Sequence, residues 1–124
     1  MGRSFRFILK RDIADLSPNR RLHWRQRHAR EAAWKLLAAH AWAEAGSPWV
    51  GEKVRITFTT RRGRLLDPGN AVRSLALTGI ENGLKGKAFP DDSARHIEYG
   101  SLVQEAAACY RHAPEVEVLV EEVD

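Results

Sequence analysis

Between Lys53 and Thr60 the chain alternates without a break: Val54, Ile56 and Phe58 fall on one side, Arg55, Thr57 and Thr59 on the other. A period of two marks a strand with one buried and one wet face, because successive side chains of an extended backbone point to opposite sides. Such a strand cannot stand alone. Its apolar side needs a covering layer and its edges need partners. The chain supplies candidates for the partners: Phe5, Phe7 and Leu9 alternate with Arg6, Ile8 and Lys10, and Val116, Val118 and Val120 alternate with glutamates. The stretch around His96, Ile97, Glu98 and Tyr99 reads as a further strand, with Gly100 as a break or bulge.

The cover is helical. From about Trp24 to Ala45, residues Ala33, Leu36, Leu37, His40 and Ala41 recur at helical spacing, with Trp34, Ala38, Trp42 and Ala45 on a neighbouring stripe. Gly46, Ser47 and Pro48 stop this helix. A second helix starts at Asp67-Pro68, Asp as N-cap and Pro at the first helical position, and runs through Val72, Leu75, Ala76, Ile80 and Leu84 to Gly86. Arg11 to Asn19 reads as a loop, Arg61-Arg62-Gly63-Arg64 as a basic loop, and Gln104 to His112 is ambiguous, helix-prone in composition but crowded between strands. The order strand, helix, strand, helix, strand, strand implies an α+β fold: a four-stranded mixed sheet with two helices packed on one face.

At 124 residues this is a single domain spanning 1–124. No apolar run approaches the roughly 18 residues that cross a bilayer. The N-terminus mixes charge with apolar residues, unlike a secretory signal, so a cytoplasmic protein is expected. Cys109, the single cysteine, cannot form an internal disulfide and reads as a small, partly buried apolar residue.

The formal net charge of +4 is unevenly spread: 15 Lys/Arg against 5 Asp/Glu through Leu66, then 5 against 11. A basic half points to a polyanion, because Lys and Arg neutralise phosphates and release counterions. Carboxylates beside a phosphate-binding surface imply an intervening cation, as in metal-dependent phosphodiester chemistry. Arg20, Arg21, Arg25, Arg27 and Arg30 gather at the start of the first helix, where the dipole disfavours cations, which also points to an anionic partner. Arg20, Arg21, Arg25, Arg61, Arg62 and Arg64 are the candidate phosphate contacts.

Asp67 lies where a strand hands over to a helix, and Asp91-Asp92 lies just before the next strand. Converging loops would let these carboxylates share one hard divalent cation, Mg2+ or alternatively Mn2+. Three segments resemble the RusA-type Holliday-junction resolvases, small phage and prophage endonucleases that cut four-way DNA junctions. They are Ser17-Pro18-Asn19 followed by His23-Trp24; Arg64-Leu65-Leu66-Asp67-Pro68-Gly69-Asn70 with Arg73; and Phe89-Pro90-Asp91-Asp92-Ser93. The resemblance extends from about Phe5 to Val120.

It implies a dimeric, Mg2+-dependent endonuclease that resolves branched DNA by paired nicks in recombination and repair, in the cytoplasm of a bacterial host. Asp67 matches the first catalytic aspartate, Asp92 the late one with Asp91 beside it, and Arg73 a catalytic lysine; Asp67, Asp91 and Asp92 would hold the metal. Asn19 and Asn70 join the arginines as DNA contacts. Gly69 stands where the family carries a second motif aspartate. The alternative is therefore a weakened or inactive branched-DNA-binding protein of the same type. An RNA-binding α+β domain with aromatics on its sheet fits less well, because the central strand offers Arg55, Thr57 and Thr59 on its second face.

Trp34 and Trp42, eight apart, are expected in the core or a subunit interface. Trp24 is expected to pack under the Asn19 loop, and His40 to be a satisfied buried histidine. The apolar Trp-bearing helix is the candidate dimer surface.

Overall fold

The computed structural model describes residues 2–16, 23–67, 75–91 and 93–123. Strand β1 (Ser4–Leu9) is followed by a 3-10 turn (Ile13–Leu16), helix α1 (Trp24–Glu44), β2 (Val54–Arg62), α2 (Leu75–Leu84), β3 (Ile97–Tyr99), β4 (Val103–Ala106), a second 3-10 turn (Ala108–Tyr110) and β5 (Glu115–Glu122). The class is α+β with a mixed sheet, as the element order implies. β5 lies antiparallel between β1 and β2, while β3 and β4 both run parallel to β2 along its outer edge.

Five strands replace the expected four because the outer position is split. Ile56 pairs with Tyr99 and Thr59 with Val103, so Gly100, Ser101 and Leu102 stand opposite only Thr57 and Phe58. The extra residue breaks the ladder, as bulges do. Gly100 is required there, since a Cβ would collide with Thr57 Oγ1. β2 also runs past Thr60 through Arg62, so Arg61 and Arg62 are strand residues; the basic loop begins only at Gly63.

Register assigns the faces. Val54, Ile56, Phe58 and Thr60 align with Val120, Val118 and Val116 of β5 and with Phe5, Phe7 and Leu9 of β1, and the two helices cover this side. The opposite face carries Arg55, Thr57, Thr59, Arg61, Glu117 and Leu119. Between helices and sheet, Trp34 and Trp42 are fully buried, so the sequence reading of them as core holds within the protomer and leaves neither indole for a subunit contact. Phe5 and Phe7 meet Trp42 edge-on at 5.9 and 5.5 Å, and its Nε1–H donates to Pro48 O at 3.0 Å. Each buried aromatic of this size removes 150–250 Å2 from water and dominates the core.

Of the two stripes read on α1, Trp34, Ala38 and Trp42 are fully buried, while Leu37 and Ala41 pack partly buried against the same core. Leu36 and His40 are displaced around the helix and point outward; His40 is not buried but exposed, with Nε2 3.0 Å from Glu44 Oε1. Cys109 is likewise exposed, on the second 3-10 turn. The helix is capped by His23, whose Nδ1 accepts from Arg25 N–H while Gln26 Oε1 accepts His23 N–H. It ends at Gly46 (φ 95) and Ser47 (φ 50) in the left-handed region.

α2 crosses α1 through glycine. A Cβ on Gly79 would lie 2.9 Å from Glu31 O, and one on Gly83 2.5 Å from Lys35 O. Because Gly79 meets Glu31 and Trp34 while Gly83 meets Lys35 and Ala38, the two helices run in the same direction.

Candidate nucleic-acid interface

Both helices run opposite to β2. The chain leaving α2 at Leu84 reaches Ala88, whose carbonyl accepts from Val50 N–H just before β2 begins. The N-termini of α1 and α2 therefore share the end at which β2 finishes in Arg62, and both present their positive dipole ends there. Arg25, Arg27 and Arg30 occupy the first two turns of α1, whose first turn holds no acid.

Trp24 stands at that end and is 63% exposed, not packed beneath a loop. The Arg25 guanidinium lies 5.3 Å over its ring; His23 stacks at a tilt at 5.7 Å and His28 meets it edge-on at 6.5 Å. An exposed indole beside an arginine is a surface on which an unpaired base can stack while its phosphates meet the guanidinium.

A second cationic feature opens beside the end of β2, an open cavity of about 380 Å3 lined by Asp12, Arg62, Arg64, Tyr110, Arg111 and Pro114. Arg62 is fixed in its wall: Nε donates to Asp12 Oδ1 at 2.7 Å and Nη1 to Arg64 O at 2.9 Å. Gly63 lets the backbones close up, since a Cβ there would lie 3.1 Å from Arg111 Cα.

Arg61 is not part of this surface. It points to the opposite sheet face, where Nε donates to Glu105 Oε2 (3.0 Å), Nη1 to Glu115 Oε2 (2.8 Å) and Nη2 to Glu117 Oε1 (3.4 Å). Hydrogen bonding to Glu105 and then Glu115 holds the guanidinium charged well beyond its usual range, against the opposing effect of burial. Lys10 Nζ donates to Glu115 at 2.8 Å and, with Arg61, holds that carboxyl below its usual value. The expected phosphate contact at Arg61 is therefore corrected to a structural ion cluster.

The acids separate. Leu66 is clamped by Gln104, which accepts its N–H at 3.0 Å and donates to its carbonyl at 3.3 Å, and Gln104 pairs with Thr60. This holds exposed Asp67 near the end of β2. Asp91, also exposed, lies between Ala88, bonded to Val50, and His96, whose carbonyl accepts from Val54 N–H at 2.8 Å. Thr60 and Val54 are six residues apart on one strand, about 20 Å at ~3.3 Å per residue. The anchors of Asp67 and Asp91 are therefore spread along β2. Among the described residues no three His, Cys, Asp or Glu side chains gather as a metal group. Asn19, Arg20, Arg21, Gly69, Asn70, Arg73 and Asp92 lie outside the described residues.

Tyr110 and Arg111 escape the sequence reading because their segment shows neither period; the adjacent ring and cation were the only local signal. Also unforeseen is Glu81, buried at the edge of a cavity of about 330 Å3 lined by Ile56, Phe58, Leu77 and Leu102, where it accepts from Tyr99 OH at 3.0 Å. No protein-family model matches the chain, and no curated protein does. No helix among the described residues is long and apolar enough to cross a membrane.

Proposed function

We propose that this chain recognises branched DNA, four-way junctions above all, in the manner of the RusA-type endonucleases that three of its segments resemble. The observation that carries the reading is the convergence of exposed Trp24, the arginines of the first two turns of α1, and the Arg62, Arg64 and Arg111 cavity at one end of the fold. A two-fold dimer would match the symmetry of such a junction.

On the endonuclease reading, Mg2+ supplies charge neutralisation and an activated water at the scissile phosphate, and Asp67 and Asp92 are the residues the resemblance assigns to it. Asp67 at the DNA-facing end favours this. The second reading, a binder that does not cut, is favoured by the roughly 20 Å between the anchors of Asp67 and Asp91 and by glycine at position 69.

A labelled synthetic four-way junction, incubated with the full chain with and without Mg2+, tests both. Paired, Mg2+-dependent nicks that vanish in Asp92→Asn, with junction binding retained, establish the endonuclease. Tight binding without nicks establishes the binder. Affinity for the junction no greater than for duplex, or indifferent to salt, refutes the proposal as a whole.

A further inference from the structure

We propose that the cavity bounded by Arg62, Arg64 and Arg111 is a phosphomonoester-binding site. Its charge decides the ligand class. Arg62 is neutralised by Asp12 at 2.7 Å, whereas Arg64 and Arg111 have no ion-pair partner among the described residues. Two uncompensated guanidiniums match a terminal phosphate, which carries about −1.5 to −2 at neutral pH, better than an internal phosphodiester with its single charge. Arginine also suits the task through its fixed fork of donors.

The wall brings together the backbones that carry the cations. Arg62 Nη1 bonds the Arg64 carbonyl at 2.9 Å, holding the chain that carries Arg64, and Gly63 lets the Arg111 backbone approach so closely that an added Cβ would lie 3.1 Å from Arg111 Cα. The cavity, about 380 Å3, falls in the range of sites that hold small ligands, so a nucleotide fits behind its phosphate, with Tyr110 and Pro114 as the flat, less polar side. The source of the phosphate is a phosphorylated DNA strand end or a free mononucleotide. The strand-end source rests on the branched-DNA reading; the site itself does not.

The test titrates the full chain with thymidine 5′-monophosphate, inorganic phosphate and thymidine by calorimetry, and with 5′-phosphorylated and 5′-hydroxyl single strands by fluorescence polarisation. The monophosphate should bind at least ~10-fold more tightly than thymidine, the effect of one charge-assisted hydrogen bond or more. Arg64→Gln/Arg111→Gln should lose that advantage while melting as the parent does, and Lys87→Gln, at the other end of the fold, should keep it. Gly63→Val, which retains every arginine but crowds the Arg111 backbone, should weaken phosphate binding as well. A preference for the phosphorylated strand identifies a DNA end as the source, and monophosphate binding without that preference identifies a free nucleotide; both support the site. Equal affinity for thymidine and its monophosphate, or undiminished binding by the double variant, overturns it. Loss of junction binding with phosphate binding intact would sink the branched-DNA reading and leave this site standing.

Discussion

Replacing Arg61 by methionine isolates the ion cluster on the uncovered sheet face. The guanidinium is 15% exposed and touches Glu115, Glu117 and Glu105, which are 10%, 17% and 48% exposed. Removing one partner of a buried pair costs about 3–5 kcal/mol, because the other charge stays behind. Glu105 is half in water and adds at most about 1 kcal/mol, while Lys10 remains on Glu115 and Arg6 on Glu117 and soften the loss. The net expectation is about 2–3 kcal/mol at pH 7, or ~10 °C in Tm for a domain of this size.

The pH dependence has a definite sign. Glu115 titrates below its ordinary 4.5 in the folded state, so its contribution is present above that value and disappears as pH falls through the lowered one. Without Arg61 the carboxyl titrates nearer its ordinary value. Parent and variant should therefore converge in stability as the pH is lowered below 4.5. Chemical denaturation followed by tryptophan fluorescence at pH 7 and in steps below pH 5 measures the difference. A loss under about 1 kcal/mol at pH 7, or a gap that stays constant on acidification, would refute the account of the cluster. Junction affinity of the folded variant should equal the parent's, since Arg61 faces away from the proposed DNA surface.

Thr60→Val should raise Tm by a few degrees, because Thr60 Oγ1 is buried with no partner among the described residues and the substitution keeps the β-branched shape; a fall in Tm on calorimetry would show that the hydroxyl is satisfied. Gly83→Ala should destabilise by about 1–2 kcal/mol despite alanine's better helix propensity, since the new Cβ meets Lys35 O at 2.5 Å and Ala38 Cβ at 3.0 Å; urea denaturation showing a gain would mean the helices separate readily. Trp24→Ala should leave Tm within about 1 °C yet weaken junction binding ~10-fold or more, the worth of one stacked base; unchanged binding would remove Trp24 from the interface.

What was legible in the sequence is what local periodicity encodes. The alternation of β1, β2 and β5 and the bounds of α1, from Trp24 to the stop at Gly46, follow from side-chain pattern and caps alone. The split of the outer strand does not, because it depends on how Gly100 meets Thr57, forty-three positions away in sequence. Arg61 was misread for a similar reason. Its local context, a run of arginines before glycine, looks like a solvated loop, and only the register with Glu105 and Glu115 reveals the ladder that continues beneath it. His40 failed because two apolar stripes overlap on α1 and pattern cannot rank them. The spread of the anchors of Asp67 and Asp91 along the sheet follows from the element order. A helix joining two parallel strands returns along the sheet, so the loops before and after it emerge at opposite ends.

The doubled outer strand also governs what the molecule avoids. A long, flat sheet margin is a template on which other chains can polymerise through their backbones. Here the margin is two fragments of three and four residues, set out of step by a single surplus residue. Deleting any one of Gly100, Ser101 or Leu102 would bring the fragments into step and present a continuous hydrogen-bonding rail on which further chains could pair.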